Sequence, residues 1–525
     1  MSHLHSRRDR RGSSPRLRDA GLPLAVLAAA LGAYLATLAP GLTWAHSGAD
    51  GGDLIAAART LGVAHPPGYP LYLLLGKLFT WLPVGNVAYR LNLLSAVCAA
   101  GAASLLAWWV RAALRDGQPR FGAAAAWVAA GLLAFSRLYW SQAVIVEVYA
   151  LNALLAMACL WLWWRWTRRP ERAAPLIEGA LLLGLGLGNH LTLILLALPC
   201  AVDVLARRER RPGWRQIGAA LLAFLLGAAI YLYLPLRARG HPPINWGDPS
   251  TWRGFWWMVS GALYRHYVFA LPLSHLPIRL ATLAGDLARQ FGPWGVALGL
   301  LGVWGLARRD RRALLVLGSI VALYAAYAVG YNTADSFVYL LPAYAIWAFW
   351  AGLGVAQAGE WLEIEAGKIA RRPRYALAAL VCALPLVSLG WNWRSVDLRR
   401  DREATDYLAA ALEEAPPGAI VISASDAHTF ALWYAQYGEG RRQDLLVLDR
   451  DLLPYAWYRE NTLPRYPDVV APAEFADLQA WLAGLVAANL PTRAVLLADP
   501  DERLLAQYAV KPAGPFYRLI GEKAP

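Results

Sequence analysis

Two carboxylates three residues apart, Asp50 and Asp53, stand in residues 44–72, directly after the first long apolar segment of a 525-residue chain. Acids at i and i+3 of a helix start point the same way, so one can take the proton of an acceptor hydroxyl while the other fixes it, and together they can hold a divalent cation. Helix capping accounts for the same positions, with Asp50 as N-cap and Asp53 as an acid in the first turn. A helical run follows, then His65-Pro66-Pro67-Gly68-Tyr69-Pro70. Consecutive prolines deny the backbone helix and hold it extended, a rigid turn that can fix the His65 imidazole and the Tyr69 phenol against the acids.

The elements that must position these groups are membrane helices. The sequence is 58% hydrophobic and 16% charged, against about 25% charged in soluble domains. A net charge of +14 would point to nucleic acid in a soluble protein. Here the arginines cluster between apolar runs, where orientation in the bilayer explains them, and no nucleic-acid partner is expected. Cys98, Cys159, Cys200 and Cys382 lie far apart inside apolar stretches and show neither a disulfide framework nor a metal spacing.

Residues 1–20 read as a basic, disordered cytosolic tail, and residues 22–44 as a retained first span, because a signal-peptide apolar region runs to only about 7–15 residues. Residues 54–61 and 71–82 are too short to cross and carry Arg59 and Lys77, which suits amphipathic helices lying at the interface and roofing the site. Further spans read at 90–110, 122–136, 143–164, 216–235, 291–307, 313–331, 337–357 and 375–393. The apolar run between 176 and 206 reads as a hairpin of two short helices broken at Gly188-Asn189-His190. That reading keeps Arg207, Arg208, Arg210, Arg211 and Arg215 in the cytosol, together with Arg308, Arg309, Arg311, Arg312, Lys368, Arg371, Arg372 and Arg374. The expectation is an α-helical polytopic membrane protein with eleven crossings over residues 21–394. A first outer loop over 44–89 carries the chemistry, and a long aromatic outer loop covers 236–290. A small extracytoplasmic α/β domain follows over 395–525, with strands near 419–423, 445–448, 494–498 and 516–520.

This topology gathers the polar residues on the outer face of what reads as a bacterial inner-membrane protein, with the N-terminus cytoplasmic and the C-terminal domain periplasmic. Arg90 and Glu147, ionisable groups at span ends, are functional candidates by default, with a structural ion pair as the alternative. Asn189 and His190 occupy the hairpin break, where non-helical backbone is tolerated if it lines a cavity. Arg237 and Arg239 suit either a bidentate grip on a lipid phosphate or snorkelling to headgroups. Asn332 and Asp335 offer sugar-binding groups or a plain exposed turn. Ser425-Asp426-Ala427-His428 follows the first strand of the C-terminal domain, where ligands sit in open α/β sheets, although helix capping explains it better.

A first outer loop with two acids, a short helix, a Pro-Pro turn and an arginine opening the next span resembles the GT-C class of membrane glycosyltransferases that use polyprenyl-phosphate sugars. The stretches ADGGDL, VAHPPGYPLY, VEVYALN, GLGLGNHLT, YLPLRA with INWGDP, GYNTADSF and SASDAHTFALWYAQYGEGRRQDLLVLDRDLL are similar to the DUF2723 family, and to the TMEM260-type protein O-mannosyltransferases, between Leu22 and Leu453. The resemblance implies an inverting transfer of a sugar, a mannose-like hexose, from a lipid-linked donor to a hydroxyl of a protein or glycan acceptor. It puts Asp50 at the position of the catalytic acid residue, acting as base, with Asp53 departing from the family's Glu. Arg237, helped by His65 or His190, is expected on the leaving phosphate. No cofactor is required, since the donor arrives in the lipid; a divalent cation on Asp50 and Asp53 is the one metal allowed for. The rival reading is a transporter or flippase of lipid-linked saccharides, which calls for inverted repeats and midplane polar groups that the sequence does not display.

Overall fold

The computed structural model describes residues 17–115, 120–207, 211–364 and 371–523; the expected tail as far as Arg16, and Arg208, Arg210 and Lys368, lie outside them. Five stretches among the described residues are long and apolar enough to cross a membrane: Val87–Leu114, Trp214–Ala238, Arg311–Gly330, Ser336–Ile364 and Ala376–Val396. Shorter apolar helices, Ala20–Leu35, Gly122–Ala134, Ala174–Leu187 and Leu191–Leu205, accompany them. The Trp-rich helix Tyr149–Arg168 and the long helix Leu276–Arg309 pack among them. Residues 188–190 do break the hairpin. There the Asn189 side-chain amide donates to the Val148 carbonyl at 3.1 Å, and His190 Nδ1 lies 2.8 Å from Thr192 Oγ1, so the interrupted backbone is tied to its neighbours.

Three helices differ from expectation. The first helix ends at Leu35 instead of running to residue 44. Pro40-Gly41 cannot continue it, and the buried Asn92 amide donates to the Ala39 and Gly41 carbonyls at 3.0 Å each, so the irregular chain keeps its backbone satisfied. The helix Leu276–Arg309 starts well inside the expected loop and is interrupted at Gly292 (φ 65°) beside Pro293, close to where the span was expected to begin. The helix Gly51–Thr60, expected at the bilayer interface, is buried from Gly51 through Ala58.

What buries it is the C-terminal α/β unit. Its sheet has the order β2-β1-β3-β5-β4, with β1 Ile420–Ser423, β2 Leu446–Asp449, β3 Val495–Leu497, β4 Tyr508–Ala513 and β5 Phe516–Glu522. β1 pairs in parallel with β2 and β3, while β5 runs antiparallel to β3 and β4. β1 to β3 are buried throughout and are apolar up to Ser423 and Asp449, which end β1 and β2. β4 was not expected, because Pro512 argues against a strand; it lies at the sheet edge, where proline is tolerated.

The unit rests on the first-loop helix with no room to spare. A Cβ on Gly52 would sit 2.1 Å from the carbonyl oxygen of Phe430, in the helix Asp426–Trp433. Alanine inside a helix ordinarily stabilises by about 0.5–1 kcal/mol over glycine. Gly52→Ala is expected to act in the opposite sense, destabilising by about 1–3 kcal/mol through overpacking. Thermal unfolding of the purified protein reads the sign, and a raised midpoint would refute the contact.

Candidate active site

The site is built outward from Asp53, whose side chain has no exposure at all. Its Oδ2 accepts from the backbone N–H of His65 at 3.0 Å and lies 2.8 Å from His65 Nδ1. Its Oδ1 accepts from the indole N–H of Trp246 at 3.0 Å. A buried carboxylate is tolerable only when its lone pairs are met in this way. Trp246 is delivered by a short parallel bridge between Val63 and Asn245, in which Val63 N–H donates to the Ile244 carbonyl at 2.8 Å. The C-terminal unit packs Phe430, Trp433 and Trp457 around the same indole, with ring centroids 5.8–6.3 Å away.

With Nδ1 directed at Asp53, His65 presents Nε2 towards Asp50, 3.6 Å from its Oδ2. Tyr69, left-handed at φ 44° where the Pro-Pro turn enters the next helix, lays its ring 4.9 Å from the imidazole, and Trp246 and Tyr264 stand at 6.2 and 6.3 Å. Burial alone would lower the pKa of His65, but the carboxylates of Asp50 and Asp53 outweigh it and raise it to about 9. The imidazolium is therefore the resident form at neutral pH. Asp50 has a side chain 41% exposed and opens into a cavity. Enclosure raises its pKa, with further rises from Asp53 and Asp335, and His65 opposes them.

That cavity has a volume of about 420 Å³, and Glu147, Tyr149 and Asp335 line it together with Arg137, Arg279 and Arg289. Arg137 has neither a hydrogen bond nor an ion pair among the described residues. Arg279 donates to the Ala328 and Tyr331 carbonyls at 2.9 and 3.0 Å, and Arg289 pairs with Asp286. The arrangement brings a partly exposed carboxylate and a free guanidinium to one polar chamber, with the His65 imidazole buried behind the carboxylate.

Residues 50–213 match the family model described as protein O-mannosyl-transferase TMEM260 N-terminal domain, and residues 404–466 match TMEM260-associated domain 2. Over these stretches the chain is similar to TMEM260. It is 31% identical over 459 residues to the protein O-mannosyl-transferase TMEM260 of Mus musculus, covering 81% of this chain and 63% of that protein. To the Dictyostelium discoideum protein of the same name it is 24% identical over 488 residues, covering 81% and 57%. The chain thus spans about three-fifths of the length of these relatives. Among solved structures, ArnT from Cupriavidus metallidurans bound to undecaprenyl phosphate has a TM-score of 0.61 at 13% identity, covering 95% of this chain and 98% of that one. The Archaeoglobus fulgidus oligosaccharyltransferase in its apo form has a TM-score of 0.51 at 13% identity, covering 94% and 74%. Those likenesses show the fold, a GT-C-like helical membrane protein ending in a small sheet.

Within this chain the expected site residues divide. Asp50, Asp53, His65, Tyr69, Glu147 and Asp335 come together as described. His190 stands one aromatic layer behind the cavity, its ring 5.6 Å from those of Tyr149 and Tyr339, and Asn189 anchors the hairpin break beside it. Arg237 turns away from the cavity: its Nε donates to the Leu61 carbonyl at 2.7 Å, closing the last turn of the Gly51–Thr60 helix. Arg90 likewise clasps the carbonyls of Thr80, Val84 and Gly85, at 2.7–3.0 Å. Arg239 and Asn332 are exposed and outside the cavity lining. In the C-terminal unit, His428 Nδ1 lies 2.8 Å from Asp499 and the ring stacks on Tyr407 at 4.4 Å, away from Asp50. Asp426 is the member of that stretch that feels the site: burial and then the Asp50 charge raise its carboxyl to about 6.

Sequence reasoning did not anticipate Trp246 as a carboxylate partner, or Arg137, Arg279 and Arg289. Arg279, Thr282, Asp286 and Arg289 are spaced by three, four and three residues, a polar stripe along one helix face that was legible once the segment is read as helix. Because folding raises the pKa of His65 from 6.5 to about 9, its contribution to stability is whole below pH 6.5 and disappears as pH climbs through 9. His65→Gln should flatten that segment of the stability profile in unfolding experiments between those limits. A variant that keeps the wild-type slope would deny the ion cluster.

Proposed function

We propose that the chain is a polyprenyl-phosphate-sugar-dependent glycosyltransferase that moves a mannose-like hexose onto an acceptor hydroxyl, most simply of a protein, with inversion. The observation that carries this reading is the open Asp50 carboxylate, backed by a His65 fixed on buried Asp53, at the wall of a cavity with a free arginine. Asp50 takes the proton of the acceptor hydroxyl as its oxygen attacks the anomeric carbon; the bond to the donor phosphate breaks, and its electron pair leaves on the phosphate. Arg137 receives the growing phosphate charge, with Arg279 and Arg289 beyond it, in the place first considered for Arg237. Glu147, Tyr149 and Asp335 are left to bind the sugar hydroxyls.

A lipid-linked donor is supported by the helix Leu276–Arg309. Beside its polar stripe, Leu276, Leu280 and Leu283 join Phe269 and Val329 around a second, apolar cavity of about 470 Å³. The proposed topology has eleven crossings, the arginine clusters in the cytoplasm and the catalytic chamber and C-terminal unit outside, in a bacterial inner membrane; the support for it is the arginine asymmetry. The Asp50–Asp53 pair does not fit a divalent cation, because Asp53 already accepts three N–H groups, and the mechanism routes no step through a metal.

Asp50→Asn is expected to lower sugar transfer from polyprenyl-phosphate mannose by about 10²–10⁴-fold with expression intact, the range for loss of a positioned base. Arg137→Ala should raise the KM for the donor more than that for the acceptor. A chelator should leave both unchanged. Full turnover by Asp50→Asn would sink the assignment, and equal effects of Arg137→Ala on both substrates would remove its phosphate role.

A further inference from the structure

The helices Ala174–Leu187 and Trp214–Ala228 run side by side and touch at two glycines. A Cβ on Gly184 would lie 2.2 Å from the Phe224 carbonyl oxygen, and one on Gly227 would lie 2.3 Å from that of Leu181. Between this crossing and the arginine end, the helices Tyr149–Arg168 and Ile194–Leu205 close a groove of about 280 Å³. Leu176, Ala180, Ala197 and Leu221 are typical of its walls.

Its arginine end is not wholly apolar. Trp166 lines the groove and is completely buried, yet its indole N–H has no partner among the described residues. A buried donor without an acceptor is unstable unless something supplies an oxygen. Pro212 forms part of the rim, and the exposed Arg211 and Arg215 beside it make no ion pair among the described residues; Arg215 lies 5.2 Å above the ring of Trp214, itself 78% exposed as an interfacial anchor would be. Of the described acids flanking the groove, Asp203 is matched by Arg207, at 2.9 Å, and by Arg312, and Glu178 by Arg165, at 3.9 Å. Among the described residues the free charge at the mouth is therefore positive.

We propose that this groove binds a phospholipid with an anionic headgroup. One acyl chain fills the apolar slot, an ester or phosphate oxygen accepts from Trp166, and the headgroup charge lies between Arg211 and Arg215. The slot's apolar walls reject a soluble anion, and the rim rejects a zwitterion relative to an anion. The site is independent of the transferase reading.

The test offers the purified full-length protein equal amounts of phosphatidylglycerol and phosphatidylcholine with matched chains and measures retention by native mass spectrometry. One phosphatidylglycerol per chain should be retained in preference, by about 25-fold, since each of two arginines contributes roughly a five-fold factor. Arg211→Gln with Arg215→Gln should bring the preference close to one, and Ala197→Phe, which fills the slot, should remove both lipids. Phenylalanine there can disturb folding, so the exposed arginine pair carries the decision. Equal retention of the two lipids by the wild type, or an undiminished preference in the double variant, overturns the proposal. So does displacement of phosphatidylglycerol by polyprenyl phosphate when the two compete.

Discussion

A carboxylate that has lost its water must find three or four donors or give up its charge, and Asp53 finds them in His65 and Trp246. The two partners come from very different distances along the sequence: His65 from the turn a dozen residues on, Trp246 from a loop nearly two hundred residues away. Meeting at one carboxylate, they orient the His65 ring, aim Nε2 at Asp50, and hold the two loops in register through the Val63–Asn245 bridge. Every feature of the chamber that depends on Asp50 being correctly placed depends first on this pairing.

The same economy governs the walls. The helix Leu276–Arg309 presents arginines and an aspartate to the chamber and leucines to the neighbouring apolar cavity, so one element divides a polar space from one suited to hydrocarbon. The C-terminal unit supplies Phe430, Trp433 and Trp457 to steady Trp246, and Asp426 to shape the field around Asp50. It is a structural part of the site, and its removal would expose the buried Gly51–Thr60 helix.

What was legible in the sequence was local. The acid pair, the Pro-Pro turn and the break at residues 188–190 are written in short spacings whose geometry needs no distant partner. The identity of residues that meet across the fold was less so. Arginine at 237 is the right chemistry for a phosphate, but whether a guanidinium faces a ligand or a helix carbonyl is decided by chain closure, and here closure turns it to Leu61. Arg279 and Arg289 were hidden for another reason: aromatic residues and prolines made the segment before 290 read as loop, although its polar spacing is helical. The burial of the first-loop helix was illegible because its cover lies at the other end of the chain.

The seating of Phe430 on Gly52 also restricts how this architecture can be reshuffled. Two surfaces that meet without a side chain between them must be inherited as a matched set. A chimera that borrowed the terminal sheet of one homologue and the membrane body of another would inherit a mismatch at the helix that carries the acid pair, whatever the quality of either half alone.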